Sequence, residues 1–230
     1  MGLPQCFANL AGPGKARHNH MIRKLASILT LLAVMWIAPA RAESLRLVAF
    51  GDSLTAGLGL DQSDAYPAQL EKTLKAKGYD VAIANAGVSG DTASAAAQRI
   101  DWSVPDGTDG VIIALGGNDI LRGIDPAITR KAMTDIIMRL KQRGIPVLLA
   151  GMQASANLGA DFAKSFDAIF PELAGQHGLV FMPFFLEGVA TDPALNQPDG
   201  IHPNREGVAV IVDNIFPYAV ELIERAENSG

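Results

Sequence analysis

A histidine and an aspartate three residues apart are the pair in this sequence best suited to proton transfer. They lie in the loop 199–203 (DGIHP). The carboxylate of Asp199 can fold back onto Nδ1 of the imidazole, which leaves Nε2 of His202 to accept a proton from a hydroxyl group. The same two residues could instead belong to a surface loop or form half of a metal site, which would need further ligands. The other histidine beyond residue 42 is His177, which we interpret as a solvated capping residue at a helix end.

Ser53 is the candidate nucleophile, because it follows a short apolar run, Leu45–Phe50, through Gly51 and Asp52. A tight exit from a buried strand would present its hydroxyl at the edge of a sheet, and acyl transfer needs such a hydroxyl beside a base. The surrounding residues do not form the G-x-S-x-G motif of α/β-hydrolases. Taken alone, the tripeptide also fits a serine that only caps a turn.

Two further positions could supply hydrogen-bond donors to a developing oxyanion. Asn118, within Gly-Gly-Asn-Asp, carries a side-chain amide, and Gly87 lets its backbone N–H approach a ligand because it has no Cβ. The Gly-Gly-Asn-Asp segment is equally typical of a turn after a strand. Nearby aspartates could complete a metal site around the histidine, but we interpret them as acceptors for backbone N–H groups. They are Asp52, Asp91 and Asp119.

The elements that must position these residues alternate between short apolar runs and longer helical patterns. Strands are predicted at 45–50, 81–87, 110–117, 146–152 and 179–185, and helices at 66–77, 92–100, 126–143, 161–176 and from 205 onward. This alternation predicts an α/β fold, a three-layer, flavodoxin-like, doubly wound sheet of about five parallel strands with helices on both faces. We expect Pro217 to kink or split the last helix.

In such a sheet the carboxyl ends of all strands face one edge, where ligands bind. Ser53, Gly87 and Asn118 follow the first three strands, so we expect these strand exits to converge on one crevice. The segment Met152–Ala160 (MQASANLGA) follows the fourth strand and is a candidate substrate-contacting flap, with a simple connector as the alternative.

The first 42 residues are predicted to be an N-terminal extension and signal peptide. Arg23 and Lys24 precede an uncharged apolar run, 25–38, and a small-x-small sequence ends at Ala42. The run of about 14 residues is shorter than the roughly 20 that a membrane span takes. We therefore predict export to the periplasm or the medium without stable membrane insertion, with an uncleaved anchor as the alternative. Met21 would be a natural start for this signal.

Removal of the leader would leave a single domain, residues 43–230, without cysteine, because the only cysteine is Cys6. A cysteine nucleophile and a thiolate metal site are thereby excluded. The leader carries five basic residues and no acidic one, so the mature chain would have 14 basic and 24 acidic residues and a net charge near −10. This charge argues against nucleic acid and against electrostatic docking on anionic lipid. The sequence indicates no oligomeric state.

Four segments of the chain, in order, resemble the sequence blocks of the GDSL, or SGNH, hydrolases. They are 51–54 (GDSL), 85–91 (NAGVSGD), 116–119 (GGND) and 199–203 (DGIHP). The chain is most similar to the small exported bacterial enzymes of this family described as arylesterase, acyl-CoA thioesterase and lysophospholipase.

The resemblance implies a triad and an oxyanion hole. Ser53 would be the nucleophile, and Asp199 and His202 the rest of the triad. The N–H groups of Ser53 and Gly87 and the side chain of Asn118 would form the oxyanion hole. The implied reaction is hydrolysis of small acyl esters, and of acyl thioesters or lysophospholipids, through an acyl-enzyme on Ser53, with no metal and no cofactor.

Two other functions are compatible with the same scaffold. The family also includes carbohydrate O-deacetylases, although the chain has no added carbohydrate-binding domain. A non-catalytic flavodoxin-like binding protein is a hypothesis from a different class, but it would not need the histidine with its aspartate at position 199.

Overall fold

Five parallel strands form the central sheet in the order β2-β1-β3-β4-β5, which is the flavodoxin-like order expected from the sequence. The strands are β1 (Leu45–Gly51), β2 (Val81–Gly87), β3 (Gly110–Ala114), β4 (Val147–Ala150) and β5 (Val180–Met182). Every residue of β3 and β4 is buried, as near-continuous apolar strands at the centre of a parallel sheet should be. The edge strand β2 instead alternates buried and exposed residues along its first half.

The computed structural model describes residues 1–2 and 44–228 of the chain. The predicted signal peptide, its cleavage site after Ala42 and the alternative start at Met21 lie outside the described residues. Residues 44–228 belong to one compact unit. Within the described ranges, 1–2 and 44–228, no helix is long and apolar enough to cross a membrane.

Eight α-helices are present among the described residues, together with two short 3₁₀ turns. The helices are α1 (Ser53–Ala56), α2 (Tyr66–Ala76), α3 (Ala93–Ser103), α4 (Gly117–Leu121), α5 (Pro126–Gln142), α6 (Ala160–Asp167), α7 (Ile169–His177) and α8 (Arg205–Glu227). Helices α2 and α8 pack together on one face of the sheet, whereas α3 and α5 pack together on the other. The predicted three-layer α/β fold is therefore confirmed.

The extent of one predicted helix was wrong, and two further details of the helices follow from single residues. The stretch predicted as one helix at 161–176 is two helices, because Pro171, in the first turn of α7, lacks the N–H that would donate to Asp167. Ile128 is 51% exposed, since the inward position in the first turn of α5 belongs to Thr129, whose hydroxyl donates to Asp119. Pro217 does not split α8.

Helix α8 tolerates its internal proline because of where the proline lies. Because proline has no N–H, the carbonyl of Asp213 loses its hydrogen-bond donor within the helix. Asp213 and Pro217 are both exposed, so water can hydrate that carbonyl. The opposite side of the helix is anchored in the core by buried residues on both sides of the proline, including Ile215 and Ala219. Packing therefore holds the helix together across the missing hydrogen bond.

Candidate active site

The carboxyl ends of the first three strands meet at one edge of the sheet, as expected. Gly51 at the end of β1 pairs with Gly87 on one side and with Ala114 on the other. The residues that follow these ends line a cleft of about 380 Å³. Among them are Ser53, Ser89, Gly90, Gly117 and Asn118.

Ser53 is the first residue of α1 and lies at the floor of this cleft. Asp52 caps the helix through a hydrogen bond from the Leu54 N–H to its Oδ1 (3.0 Å), so the capping role is filled by the aspartate and not by the serine. A Cβ on Gly51 would lie 2.5 Å from the carbonyl oxygen of Ala114, so only glycine permits this sharp exit from β1. The turn leaves the Ser53 side chain 7% exposed, at the cleft.

The imidazole of His202 lies between Ser53 and Asp199. Its Nε2 is 2.9 Å from Oγ of Ser53, and its Nδ1 is 2.7 Å from Oδ2 of Asp199. An anionic carboxylate can only accept a hydrogen bond, so the proton of the neutral ring belongs on Nδ1 and Nε2 is left to accept the hydroxyl proton. The structure thus brings together the three residues predicted to form the triad.

Asp199 is held as an anion by the loop that carries it. Its Oδ1 accepts hydrogen bonds from the backbone N–H groups of His202 (3.0 Å) and Ile201 (2.9 Å). These bonds, the one from His202 first, together with the imidazole bond, lower the pKa of Asp199 to about 2. A carboxylate engaged in this way orients the imidazole and stabilises its protonated form.

Asn118 also lies at the cleft, in the first turn of α4. The Gly-Gly-Asn-Asp segment therefore begins a helix instead of forming a turn. Gly116, the residue that precedes this helix, has a φ of 115°. The Asn118 amide donates to Oδ2 of Asp52 over 3.4 Å. Burial of Asp52, which is 1% exposed, raises the pKa of its carboxyl to about 6. A buried carboxyl thus lies directly behind the amide.

Gly87, predicted as an oxyanion donor, has its N–H engaged elsewhere. It does not line the cleft, and its N–H donates to Oδ1 of Asn85 (2.9 Å). A Cβ on Gly87 would come within 2.2 Å of the Ala56 N, so the glycine allows β2 to pack against α1. Gly90, three residues later and with φ of 87°, lines the cleft instead. Sequence reasoning missed Gly90, although it belongs to the same motif.

The remaining aspartates near the strand exits have structural partners. Asp119 is fully buried and accepts from the Ala93 N–H (2.9 Å) and the Thr129 hydroxyl (2.8 Å), as a backbone acceptor was expected to do. Asp91 was expected to bind backbone N–H groups, but it forms an ion pair with Arg99 (2.6 Å). Over residues 1–2 and 44–228, no three His, Cys, Asp or Glu residues cluster in a way that could hold a metal ion.

Two other expectations are corrected in part. Only Met152 and Gln153 of the predicted flap line the cleft, and the segment continues away from it as a 3₁₀ turn and α6. His177 ends α7 as predicted, but it is half-buried, its Nε2 is buried without a hydrogen-bond partner, and its carbonyl accepts a hydrogen bond from Lys141 (2.7 Å). It does not line the cleft.

Most of the other residues lining the cleft are apolar. They come from five separate parts of the chain, so the cleft is a composite of the loops at this edge of the sheet. They include Leu54, Leu58, Ile120, Leu121, Met152, Phe184, Leu186, Ala190 and Ile201.

Comparison with known proteins agrees with this geometry. The model of the GDSL-like Lipase/Acylhydrolase family matches residues 49–210. Esterase TesA of Pseudomonas aeruginosa is 36% identical over 194 residues, covering 84% of this chain and 96% of that protein. Thioesterase 1/protease 1/lysophospholipase L1 of Escherichia coli K12 is 34% identical over 183 residues, covering 79% of this chain and 86% of that protein.

A solved structure shows the same fold at higher identity. The crystal structure of AlinE4, an SGNH-hydrolase family esterase, superimposes with a TM-score of 0.67 at 46% sequence identity. The superposition covers 78% of this chain and 96% of AlinE4.

Proposed function

The chain belongs to the GDSL-like lipase/acylhydrolase family, and we propose that it is a serine esterase with Ser53 as nucleophile, His202 as base and Asp199 as the residue that orients the base. The observation that carries the proposal is the continuous hydrogen-bonded relay, 2.9 Å from Ser53 to His202 and 2.7 Å from His202 to Asp199, which ends at the floor of an apolar cleft. The substrate class is carboxylic esters of small acyl and aryl groups.

In the first half of the reaction, Oγ of Ser53 attacks the ester carbonyl carbon and its proton passes to Nε2 of His202. The imidazolium that forms is stabilised by Asp199. When the tetrahedral intermediate collapses, His202 returns the proton to the leaving alcohol oxygen, and the acyl group remains on Ser53.

In the second half, water attacks the acyl-enzyme. His202 accepts a proton from the water and then returns it to Oγ of Ser53, which releases the carboxylic acid and restores the resting enzyme. No external oxidant or cofactor enters either half. The reaction is balanced by one water molecule per ester.

The charge that develops on the carbonyl oxygen needs preorganised donors. We assign this role to the side-chain amide of Asn118, the N–H of Ser53 and the N–H of Gly90 in place of Gly87. Ser53 opens a helix, so its N–H has no acceptor within that helix. The Gly90 N–H makes no hydrogen bond to any other described residue, unlike that of Gly87, which is engaged by Asn85.

The apolar lining of the cleft suits the acyl group. Its volume of about 380 Å³ falls within the range of small-molecule sites, roughly 300–1,000 Å³. This favours an alkyl or aryl acyl group over the hydroxyl-rich substrate of a carbohydrate O-deacetylase, which would need many polar partners. A pure binding protein has no use for a serine hydrogen-bonded to a histidine–aspartate pair.

The substrate range can be tested with a panel of p-nitrophenyl esters from acetate to palmitate, supplemented with an acyl-CoA and a lysophospholipid. We expect turnover of the p-nitrophenyl esters, and loss of that turnover in Ser53→Ala by several orders of magnitude with an unchanged melting curve. Turnover of acetylated sugars without turnover of the longer acyl esters would favour the deacetylase. Retention of more than about a tenth of wild-type turnover in Ser53→Ala would show that the nucleophile is misassigned.

We also propose that the protein is exported, to the periplasm or the medium, after cleavage following Ala42. The support is the basic, apolar and small-residue pattern of the leader. Sequencing the N-terminus of protein purified from its natural host tests this, and an N-terminus upstream of Ala42 would contradict cleavage.

A further inference from the structure

One side chain outside the relay joins the two chain segments that carry it. Gln197 lies two residues before Asp199, and its amide Nε2 donates to the carbonyl of Leu58 (2.7 Å) and to the carbonyl of Pro203 (3.0 Å). Leu58 belongs to the segment that follows the nucleophile, since its N–H donates to the carbonyl of Ser53 (3.1 Å). Pro203 is bonded directly to the histidine. The amide therefore bridges the serine segment and the histidine loop.

The backbone of Gln197 is tied to the same loop. Its N–H donates to the carbonyl of His202 (2.7 Å), and its carbonyl accepts from the N–H of Gly200 (2.9 Å). All four of these hydrogen bonds thus end within the histidine loop or on the segment behind the serine. Among the hydrogen bonds of the described chain, only His202 itself, through its imidazole, also connects this loop to the serine segment.

The two segments also approach each other closely at this point. A Cβ on Gly59 would lie 2.1 Å from Oε1 of Gln197, so a larger residue at this position would displace the amide. A further polar link to the serine side is an ion pair from Arg205 to Asp61 and Asp64. It starts from the first residue of α8, whereas the amide of Gln197 reaches the carbonyl of Pro203, directly beside His202.

The histidine loop needs such a connection because it lies at the surface. The Asp199 side chain is 44% exposed, and Gly200, beside it, is in the left-handed region with φ of 69°. The hydrogen bond that the imidazole donates to Asp199 fixes the orientation of the ring relative to its own loop. It does not fix the position of that loop relative to Ser53.

We propose that Gln197 is a positioning residue that sets the distance between Nε2 of His202 and Oγ of Ser53. This inference rests on the proposed function, because it concerns the same relay. The residue acts through His202 and need not touch the substrate. A displacement of about 1 Å between reacting groups can cost about 100-fold in rate, so loss of the bridge should reduce kcat with little effect on KM.

The test replaces the amide without changing the size of the side chain. In Gln197→Met both donors are lost, and we expect kcat for a soluble p-nitrophenyl ester to fall tenfold to a hundredfold, with KM changed by less than twofold. The rate at which a fluorophosphonate labels the enzyme should fall in parallel, because that reaction needs the aligned serine and histidine but no acyl recognition.

The matched control is Gln69→Met. The Gln69 amide donates to the carbonyl of Ser63 (2.6 Å), so it is the same kind of half-buried link between a glutamine amide and a backbone carbonyl, and neither residue lines the cleft. We expect Gln69→Met to lower the melting temperature while leaving kcat unchanged. If Gln197→Met does not fold, Gln197→Asn, which keeps the amide but cannot span both carbonyls, serves for the same comparison.

Three results would overturn the inference: a kcat of Gln197→Met within twofold of wild type, an increase in KM alone, or an equal loss of kcat in Gln69→Met. The proposed function fails separately, through an active Ser53→Ala enzyme. An inactive Ser53→Ala together with a fully active Gln197→Met would therefore reject the positioning role and leave the esterase assignment in place.

Discussion

Asn118 offers a test in which catalysis and stability should respond differently. If its amide donates to the oxyanion, Asn118→Ala removes an interaction made mainly in the transition state. We expect kcat to fall by roughly 10²–10³, or about 2.7–4 kcal/mol, with KM little changed. The melting temperature should change little, because the side chain is only half-buried and its bond to Asp52 is long, at 3.4 Å.

Asn118→Asp keeps the shape of the side chain and replaces a donor with an anion beside a buried carboxyl. At the 3.4 Å separation of the present amide and Oδ2 of Asp52, two carboxylates would repel by about 5 kcal/mol at an effective dielectric constant of about 20. This corresponds to about 3.5 pKa units, so the pair would hold one proton at neutral pH. The proton should go to Asp52, which is the more deeply buried and already has a pKa of about 6. The new carboxylate then faces the oxyanion.

Two signatures follow from that charge. At pH 8, kcat of Asn118→Asp should be at least as low as that of Asn118→Ala, because an anion repels the developing oxyanion. Its melting temperature, relative to wild type, should decrease as the pH is raised from 5 to 8, because a carboxyl whose pKa is raised by folding loses stability as it ionises. Steady-state kinetics and melting curves of both variants at several pH values provide the measurements. An Asn118→Asp enzyme that keeps more than about a tenth of wild-type kcat at pH 8 would refute the oxyanion role.

Two further predictions concern residues behind the cleft. Burial raises the pKa of Asp52 from 3.8 to about 6, so the wild type should lose stability relative to Asp52→Asn as the pH rises from about 4 to 6. The change is up to about 3 kcal/mol. Urea unfolding at the two pH values measures this, and a pH-independent difference between the proteins would argue against a buried carboxylate. Gly87→Ala should lower stability by about 1–3 kcal/mol or more, because the new Cβ would meet the backbone N of Ala56 at 2.2 Å. Gly90→Ala has space for its Cβ but strains a φ of 87°, so it should shift the N–H and lower kcat at least tenfold with a smaller loss of stability. A silent Gly90→Ala beside a stable, inactive Gly87→Ala would return the donor role to Gly87.

The order of strands and helices was predictable from sequence because each element is long enough to show a period. The apolar runs at 45–50 and 81–87 became β1 and β2 with almost unchanged boundaries. Parallel pairing then required the strand exits to share one edge, and this alone was enough to bring Ser53 and Asn118 together. Helices α1 and α4 were missed, since helices of four and five residues are too short to show a 3.6-residue pattern.

The relay was predictable because so few residues could have formed it. With one histidine in a loop and an aspartate three residues before it, local geometry determined the partner of Nδ1. The choice between Gly87 and Gly90 was not predictable, because both lie in one glycine-containing segment after β2. Which N–H faces the cleft depends on the path of the chain after the strand and on the side chain of Asn85.

Gln197 could not be identified from sequence for a related reason. Its amide reaches Leu58, which is 139 residues away along the chain, and no local pattern indicates a contact over such a separation. Arg99 is a similar case. Its guanidinium, in a side chain 8% exposed, donates to the carbonyls of Gly51 (2.7 Å) and Ala86 (2.9 Å) at the ends of β1 and β2. Both residues support the site from elements whose packing only the folded chain reveals.

The central claim is that Ser53 is an activated nucleophile, and covalent labelling tests it most directly. The purified protein is incubated with a fluorophosphonate probe, and the adduct is located by intact mass and peptide mapping. We expect one adduct per chain, on Ser53, with strongly slowed labelling in His202→Ala and none in Ser53→Ala. An adduct on any other residue, or an unlabelled protein that still hydrolyses esters, would contradict the assignment.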